Sequence, residues 1–304
     1  MKEIFSYLFM LILIIYLSLS VQAGDGNVIF SIEDPVEDDC GPCYYNYPTN
    51  KVFAPYRDLF DIKRFTVIDS NDNYLFKFHF TKITDPWDSN YGFSMPLIEL
   101  YIDNAEGGCK DFFKDGANIK LAPGHSWNKL MKLSGWWVRV FTPEDRNKDM
   151  IDLSLNTEKL SWNIENCRVE VNDNIIELEL EKELIGELSN SFIYILVGSF
   201  DPFGLDHFRG IQREKSSWSF SAEQDTNIKY APRVIDIILP SNKKQEEVLG
   251  DFQDDYCQIY PVKVTGMTGN INIIKKNVPY IAVMVIFLVI IIMNKDNIFK
   301  HTNR

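Results

Sequence analysis

Short apolar runs alternate with polar residues along most of the chain, and Asp, Asn and Gly cluster between these runs. The sharpest alternation lies in Tyr74–Ile83, where every second residue from Phe76 to Phe80 is a phenylalanine. The polar segment Asp69–Asn73 separates this run from a second one, Phe60–Ile68. A period of two indicates a strand with one buried face, so the two runs predict a β-hairpin.

The rest of the pattern predicts an all-β fold. Further strands are predicted at Asn27–Ile32, Leu97–Asp103, Trp136–Phe141, Arg168–Val171, Ile175–Leu180, Phe192–Gly198 and Val234–Leu239. Helix is expected only in Glu158–Trp162 and Lys182–Leu188, and Ala105–Lys132 shows turn residues with little periodicity. Many short strands joined by tight polar turns indicate an antiparallel β-sandwich. The more polar Ser241–Asn277 lacks a series of strands and is predicted to be a stalk.

Two apolar runs predict that the protein is attached to a membrane. Val278–Met293 carries no charge and is flanked by lysines, which predicts a transmembrane helix followed by a cytoplasmic tail at 294–304. A buried core helix is the alternative. Ile4–Leu19 is apolar and leads to a small-residue site at Ala23, which indicates a signal peptide cleaved there; an uncleaved anchor is the alternative. The domain at 24–240 is therefore expected outside the cell, on a single-pass protein of the cell membrane.

Charge and cysteine content narrow the function further. The formal net charge of −12 argues against nucleic acid as a partner.

The five cysteines lie in the part expected to be exported, where disulfides form, and an odd number leaves at least one outside an intrachain pair. Cys40 and Cys43 bracket a Gly-Pro pair, which predicts a local disulfide. Pairing with Cys109 or Cys167 and a thioredoxin-type redox motif are the alternatives.

A series of collinear segments resembles the C-terminal domain family of glucodextranase, a DOMON-like β-sandwich that is also appended to amylopullulanases. The segments are DPVEDDCGPCYYNYPTNKVF from Asp34, DIKRF from Asp61, DPWDSNYGFSMPLIELYIDN from Asp85, GANIKLAPGHSW from Gly116, SGWWVRVF from Ser134, VGSFDPFGLDHFR from Val197 and APRVIDIILP ending at Pro240. The resemblance covers about Val28–Pro240. It implies an immunoglobulin/DOMON-like sandwich that binds carbohydrate or the cell surface without catalysis. The family loop usually runs G-P-G, and here Cys43 stands where a glycine is expected.

Aromatic residues that could stack on sugar rings cluster in the middle third of the chain. The candidate carbohydrate-binding residues are Trp87, Tyr91, Trp127 and Trp137, with Asp85, Asp88 and Asn90 for the hydroxyl groups. The alternative is that these aromatic residues belong to the core. Successive strand residues point to opposite faces, so Trp136 and Trp137 cannot both face inward if they lie on a strand.

Asp34, Asp38 and Asp39 lie close together in one turn-rich loop. Carboxylate oxygens at this density suit Ca²⁺, which takes about six to eight oxygen ligands. A distant carboxylate, Asp61 or Asp103, would have to complete the shell. The alternative is a solvated acidic turn whose carboxylates accept bonds from backbone amides.

The sequence contains no nucleophile elbow, histidine metal motif or phosphate loop, so the chain is not expected to be an enzyme. The expected function is a membrane-anchored extracellular module that binds a polysaccharide or another cell-envelope glycan. The alternative is a structural envelope protein that contacts a surface layer or a membrane partner. A haem-binding electron-transfer domain ranks third, because DOMON relatives ligate haem through Met and His but no such pair is marked by spacing here.

Overall fold

The computed structural model describes residues 26–53, 57–112, 116–145, 166–203, 208–222 and 225–265. The predicted signal peptide, the predicted helix at Glu158–Trp162, the C-terminal apolar run and the tail lie outside these ranges. Within them, no helix has both the length and the apolar character needed to cross a bilayer.

The described residues form antiparallel sheets with little helix, which confirms the predicted all-β class. The strands are β1 Asn27–Glu33, β2 Ile62–Ser70, β3 Asn73–Phe80, β4 Pro96–Asp103, β5 Lys120–Leu121, β6 Lys129–Leu133, β7 Val138–Phe141, β8 Arg168–Asn172, β9 Ile175–Glu181, β10 Phe192–Ser199, β11 Val234–Ile238, β12 Gln258–Ile259 and β13 Val262–Lys263. The helices are α1 Lys182–Ile185, α2 Gln245–Gly250 and a 3-10 turn at Pro143–Asp145.

Two sheets build the sandwich. The first has the order β1-β2-β3-β9-β8, and the second has the order β11-β10-β4-β6-β7 with β13 added to β10. A short parallel pair, β12 and β5, stands apart from both. The predicted hairpin β2–β3 is confirmed. The strands β8 and β9 form a second hairpin, and β10 lies between β4 and β11.

The core explains the alternation seen in the sequence. Tyr74, Phe76, Phe78 and Phe80 of β3 are buried, and the residues between them are half-exposed. The Phe78 ring lies 5.0 Å from the Phe65 ring of β2. Each such ring stabilises the fold by about 1.5–3 kcal/mol when it leaves water. One continuous apolar cluster takes residues from both sheets, which is the arrangement of a β-sandwich.

Two parts of the sequence-based fold prediction are wrong. The strand β6 begins inside the segment Ala105–Lys132, for which no strand was predicted. It has no polar–apolar alternation because it is buried on both faces, and it carries a buried charge at Lys132. The predicted stalk is part of the folded domain as far as Thr265. Leu249 of α2 and Phe252 are buried, β12 pairs with β5 and β13 pairs with β10. This segment therefore contributes buried residues to the core of the sandwich.

Candidate functional site

Three connections leave the second sheet at one end and meet there. Ser199 at the end of β10 pairs with Pro96 at the start of β4, and Leu133 at the end of β6 pairs with Ile98. The loop before β4, the turn between β6 and β7, and the chain after β10 therefore lie next to one another. Between them is an open pocket of about 700 Å³. Its lining consists of Trp87, Trp136, Trp137, Phe200, Asp201, Pro202, Phe203, Arg209 and Trp218.

Close backbone contact fixes the two loops that carry the tryptophans. The amide of Tyr91 donates to the carbonyl of Gly135 at 2.9 Å. A Cβ atom at Gly135 would lie 1.7 Å from the carbonyl oxygen of Phe93, so only glycine fits there. In the β3–β4 loop, both carboxylate oxygens of Asp85 accept the amide of Ser89, which closes the turn that holds Trp87. The backbone thus places Trp87 and the Trp136–Trp137 pair on one side of the molecule.

Both adjacent tryptophans reach the pocket, because β7 begins only at Val138 and the pair lies in the preceding turn. The Trp136 ring stacks on Phe200 with 4.9 Å between ring centroids and an interplanar angle of 27°. The guanidinium of Arg139 lies 4.0 Å from the Trp137 ring centroid, within cation–π distance. Burial lowers the pKa of Arg139 to about 10. These contacts hold the floor of the pocket in place.

Another part of the lining comes from segments that follow β10. The Trp218 ring lies beside the Trp87 ring, 6.5 Å between centroids, and 6.4 Å from Phe53. Trp218 is 44% exposed and Phe203 is 95% exposed, which is unusual for aromatic side chains. Such exposed rings around an apolar concavity mark a binding surface.

Two polar groups complete the lining. Arg209 donates to the carbonyl of Phe200 at 2.6 Å and to the hydroxyl of Ser199 at 3.3 Å. Burial lowers the pKa of Arg209, and Asp201 opposes that shift. The carboxylate of Asp201 accepts the amide of Phe203 at 3.0 Å. The pocket therefore offers flat apolar faces with a guanidinium and a carboxylate close by, which could bind hydroxyl groups.

Trp87 and Trp137 line the pocket, whereas the other residues predicted to bind carbohydrate do not. Asp85 closes its turn, and the Asn90 side chain donates to the carbonyl of Trp136 at 3.3 Å. Asp88 is at a turn position with φ of 51°, and Tyr91 is hydrogen-bonded to Cys167. Trp127 has no exposed surface, so its prediction as a sugar contact is wrong. Sequence reasoning missed Trp136, Phe200, Phe203, Trp218 and the polar pair Asp201 and Arg209.

The loop that carries Asp34 and Asp38, called the acidic loop below, lies against Asp236, which was not among the predicted calcium ligands. Oxygens of Asp34, Asp38 and Asp236 all lie within 4.8 Å of one another. Asp236 is in the buried strand β11, and Asp61 stands just before β2 beside this group. Burial raises the pKa of Asp34 to about 9 and that of Asp38 to about 6, and the charge of Asp61 adds to both shifts. We call Asp34, Asp38, Asp61 and Asp236 the carboxylate cluster.

The other two predicted calcium ligands have structural partners. Asp39 accepts the amide of Phe60 at 3.1 Å and the hydroxyl of Tyr47. Asp103 accepts both the amide and the hydroxyl of Ser126, at 3.2 and 3.0 Å. Neither belongs to the group of carboxylates that lie close enough to share an ion. Of the predicted ligands, Asp34 and Asp38 lie in that group together with Asp236, whereas Asp39, Asp61 and Asp103 lie outside it.

The predicted disulfide between Cys40 and Cys43 is confirmed. Cys43 has φ of 63°, in the left-handed region that favours glycine, which accounts for the glycine expected at this place in the loop. Cys109, Cys167 and Cys257 take no part in a disulfide. The alternatives that paired Cys40 or Cys43 with Cys109 or Cys167 are therefore wrong.

The fold and the pocket define a β-sandwich binding module. Residues 29–261 match the family described as the C-terminal, SLH-like binding module of glucodextranase. The match covers well over half of the chain, so the chain belongs to this family, and the resemblance seen in its motifs is confirmed. No match was found among curated proteins.

Proposed function

We propose that this protein is a non-catalytic carbohydrate-binding module that holds a glycan at the cell surface, and that the aromatic pocket is its binding site. The family is one of binding modules, which supports binding to carbohydrate or to the cell surface. The observation that carries the proposal is the pocket of six aromatic side chains with exposed rings at its rim. The predicted signal peptide would direct the module out of the cell, and the apolar run Val278–Met293 would attach it to the membrane.

The chemistry of the lining favours a sugar over other small ligands. A pyranose ring presents an apolar C–H face that fits a flat aromatic ring, and its edge presents hydroxyl groups. Trp87 and Trp218 lie 6.5 Å apart and are tilted by 37°, so they form an angled wall for such a face. Arg209 and Asp201 supply a donor and an acceptor at the same site. The pocket is open to solvent on one side, which would let a chain of sugars extend beyond it. An α-glucan is the ligand class we propose.

The first prediction concerns Trp218. In native gels cast with starch, pullulan or dextran, we expect at least one glucan to retard the full-length protein. Trp218→Ala should weaken that retention by about tenfold or more, because tryptophans are enriched among the few residues that carry most of the energy of a binding site. Trp87→Ala should have a similar effect, and neither change should lower the melting temperature appreciably, since both rings are partly exposed.

Tyr256→Ala is the matched control, because Tyr256 is a partly exposed aromatic residue that packs on Tyr230 outside the pocket. It should leave retention unchanged. Failure of all three glucans to retard the wild-type protein would reject the α-glucan proposal and favour a structural role at the cell envelope. Equal loss in Tyr256→Ala and Trp218→Ala would show that the pocket is not the binding site.

A further inference from the structure

The carboxylate cluster joins three parts of the chain that are distant in sequence. Asp34 and Asp38 follow β1, Asp61 precedes β2, and Asp236 lies in the middle of β11. Both Asp61 and Asp236 have no exposed surface. Carboxylates this close together repel one another when they are ionised, and a bound cation would offset that repulsion.

Three buried oxygens of the cluster, one each from Asp34, Asp38 and Asp61, have no hydrogen-bond donor among the described residues. The second oxygen of Asp61 accepts the hydroxyl of Thr81. Buried polar atoms without partners are rare and costly, so unpaired oxygens from several carboxylates in one place point to a missing ligand. A carboxylate can only accept hydrogen bonds or bind a cation.

Two backbone hydrogen bonds orient the Asp236 carboxylate for binding a cation. One of its oxygens accepts the amide of Ile62 and the other accepts the amide of Ile237, both at 2.7 Å. These bonds orient the carboxylate and leave further lone pairs on each oxygen free to coordinate an ion. The cluster is thus positioned by the backbone of β11 and of the start of β2.

The acidic loop is also preorganised. The Cys40–Cys43 disulfide closes the turn that follows Asp38. The side-chain amide of Gln245 donates to the carbonyls of Asp38 and Gly41, and thereby ties the loop to α2. A loop that is fixed in this way loses little conformational freedom when an ion binds.

The two lysines in the pocket beside the cluster have other partners. Asp34 and Asp38 line an open pocket of about 410 Å³, which also contains Lys243 and Lys244. The Lys243 ammonium lies 4.0 Å from the Tyr260 ring centroid, and the Lys244 ammonium lies near Glu246 and Glu247. The same pocket gives a solvated ion a path to Asp34 and Asp38.

We propose that Asp34, Asp38, Asp61 and Asp236 bind one divalent cation, and that this cation is Ca²⁺. The donor set consists only of carboxylate oxygens, which hard cations prefer. Ca²⁺ accepts irregular oxygen shells drawn from distant segments, whereas Mg²⁺ requires near-ideal octahedral geometry. The ion ties the loop after β1 to β2 and β11, so its main effect is on the stability of the sandwich.

The test is calorimetric titration of Ca²⁺ into the purified full-length protein after chelation and removal of the chelator. We expect one site, and a rise in melting temperature of about 5–10 °C when free Ca²⁺ is a hundred times its Kd. Mg²⁺ at the same concentration should give a smaller rise. Absence of a calorimetric signal together with an unchanged melting temperature would overturn the proposal.

Two variants separate the site from adventitious binding. Asp34→Asn should abolish the calcium-dependent rise, because it removes a carboxylate ligand from the cluster. Asp103→Asn is the matched control, since Asp103 is an acidic residue bonded to Ser126 outside the cluster, and it should keep the full response. If Asp34→Asn retains the calcium response of the wild type, the ion binds elsewhere and the proposal is wrong.

Discussion

Lys132→Met is expected to lower the free energy of unfolding by about 3–5 kcal/mol, because it leaves the carboxylate of Glu99 buried without its cation. The Lys132 ammonium lies 2.6 Å from Glu99, and neither side chain has any exposed surface. The two residues are direct neighbours on the adjacent strands β4 and β6 of the second sheet. Equilibrium unfolding in urea, followed by tryptophan fluorescence, measures the change.

A double variant tests the cause. Glu99→Leu combined with Lys132→Met replaces the ion pair by apolar side chains of similar size, and it should recover most of the lost stability. The aromatic ring of Phe208 lies 5.9 Å from the Lys132 ammonium and would pack against the new methionine. If the double variant is as unstable as Lys132→Met, lost packing rather than an unpaired charge is responsible. A single variant as stable as the wild type would contradict the prediction outright.

The same ion pair explains where sequence reasoning about the fold succeeds and fails. Alternation identified β3 because its two faces meet different environments, one buried and one half-exposed. Strand β6 is buried on both faces, so it has no alternation, and Lys132 at a buried position makes the segment look exposed. Glu99 lies opposite and balances this charge, and that pairing is decided by the register of two strands distant in sequence.

Among the site residues, too, those recognisable from their sequence neighbours were predicted, and those that matter through contacts distant in sequence were missed. Trp87 could be selected because polar turn residues surround it within one loop. Trp218 could not, because its importance depends on its position beside Trp87, which lies more than a hundred residues earlier in the chain. Asp236 was missed for a similar reason, since it lies within the apolar strand VIDII and meets the acidic loop only in the folded protein.

Trp127→Ala is expected to cost about 3–5 kcal/mol of unfolding free energy, in contrast to the small effect expected for the pocket tryptophans. Trp127 has no exposed surface, and its ring lies 5.6 Å from that of Tyr101 in an edge-to-face arrangement. Its indole N–H donates to the carbonyl of Asp111 at 2.8 Å. The substitution therefore leaves a cavity and removes the partner of a carbonyl.

Measurement in urea, with Trp127→Phe beside Trp127→Ala, separates these two contributions. The phenylalanine fills most of the cavity but cannot donate to Asp111, so it should lose about 1–3 kcal/mol. Glucan retention of the folded fraction should be the same in both variants as in the wild type, since Trp127 lies outside the pocket. A Trp127→Ala protein that is as stable as the wild type but no longer retained by glucan would reverse the assignment, making Trp127 a ligand contact instead of a core residue.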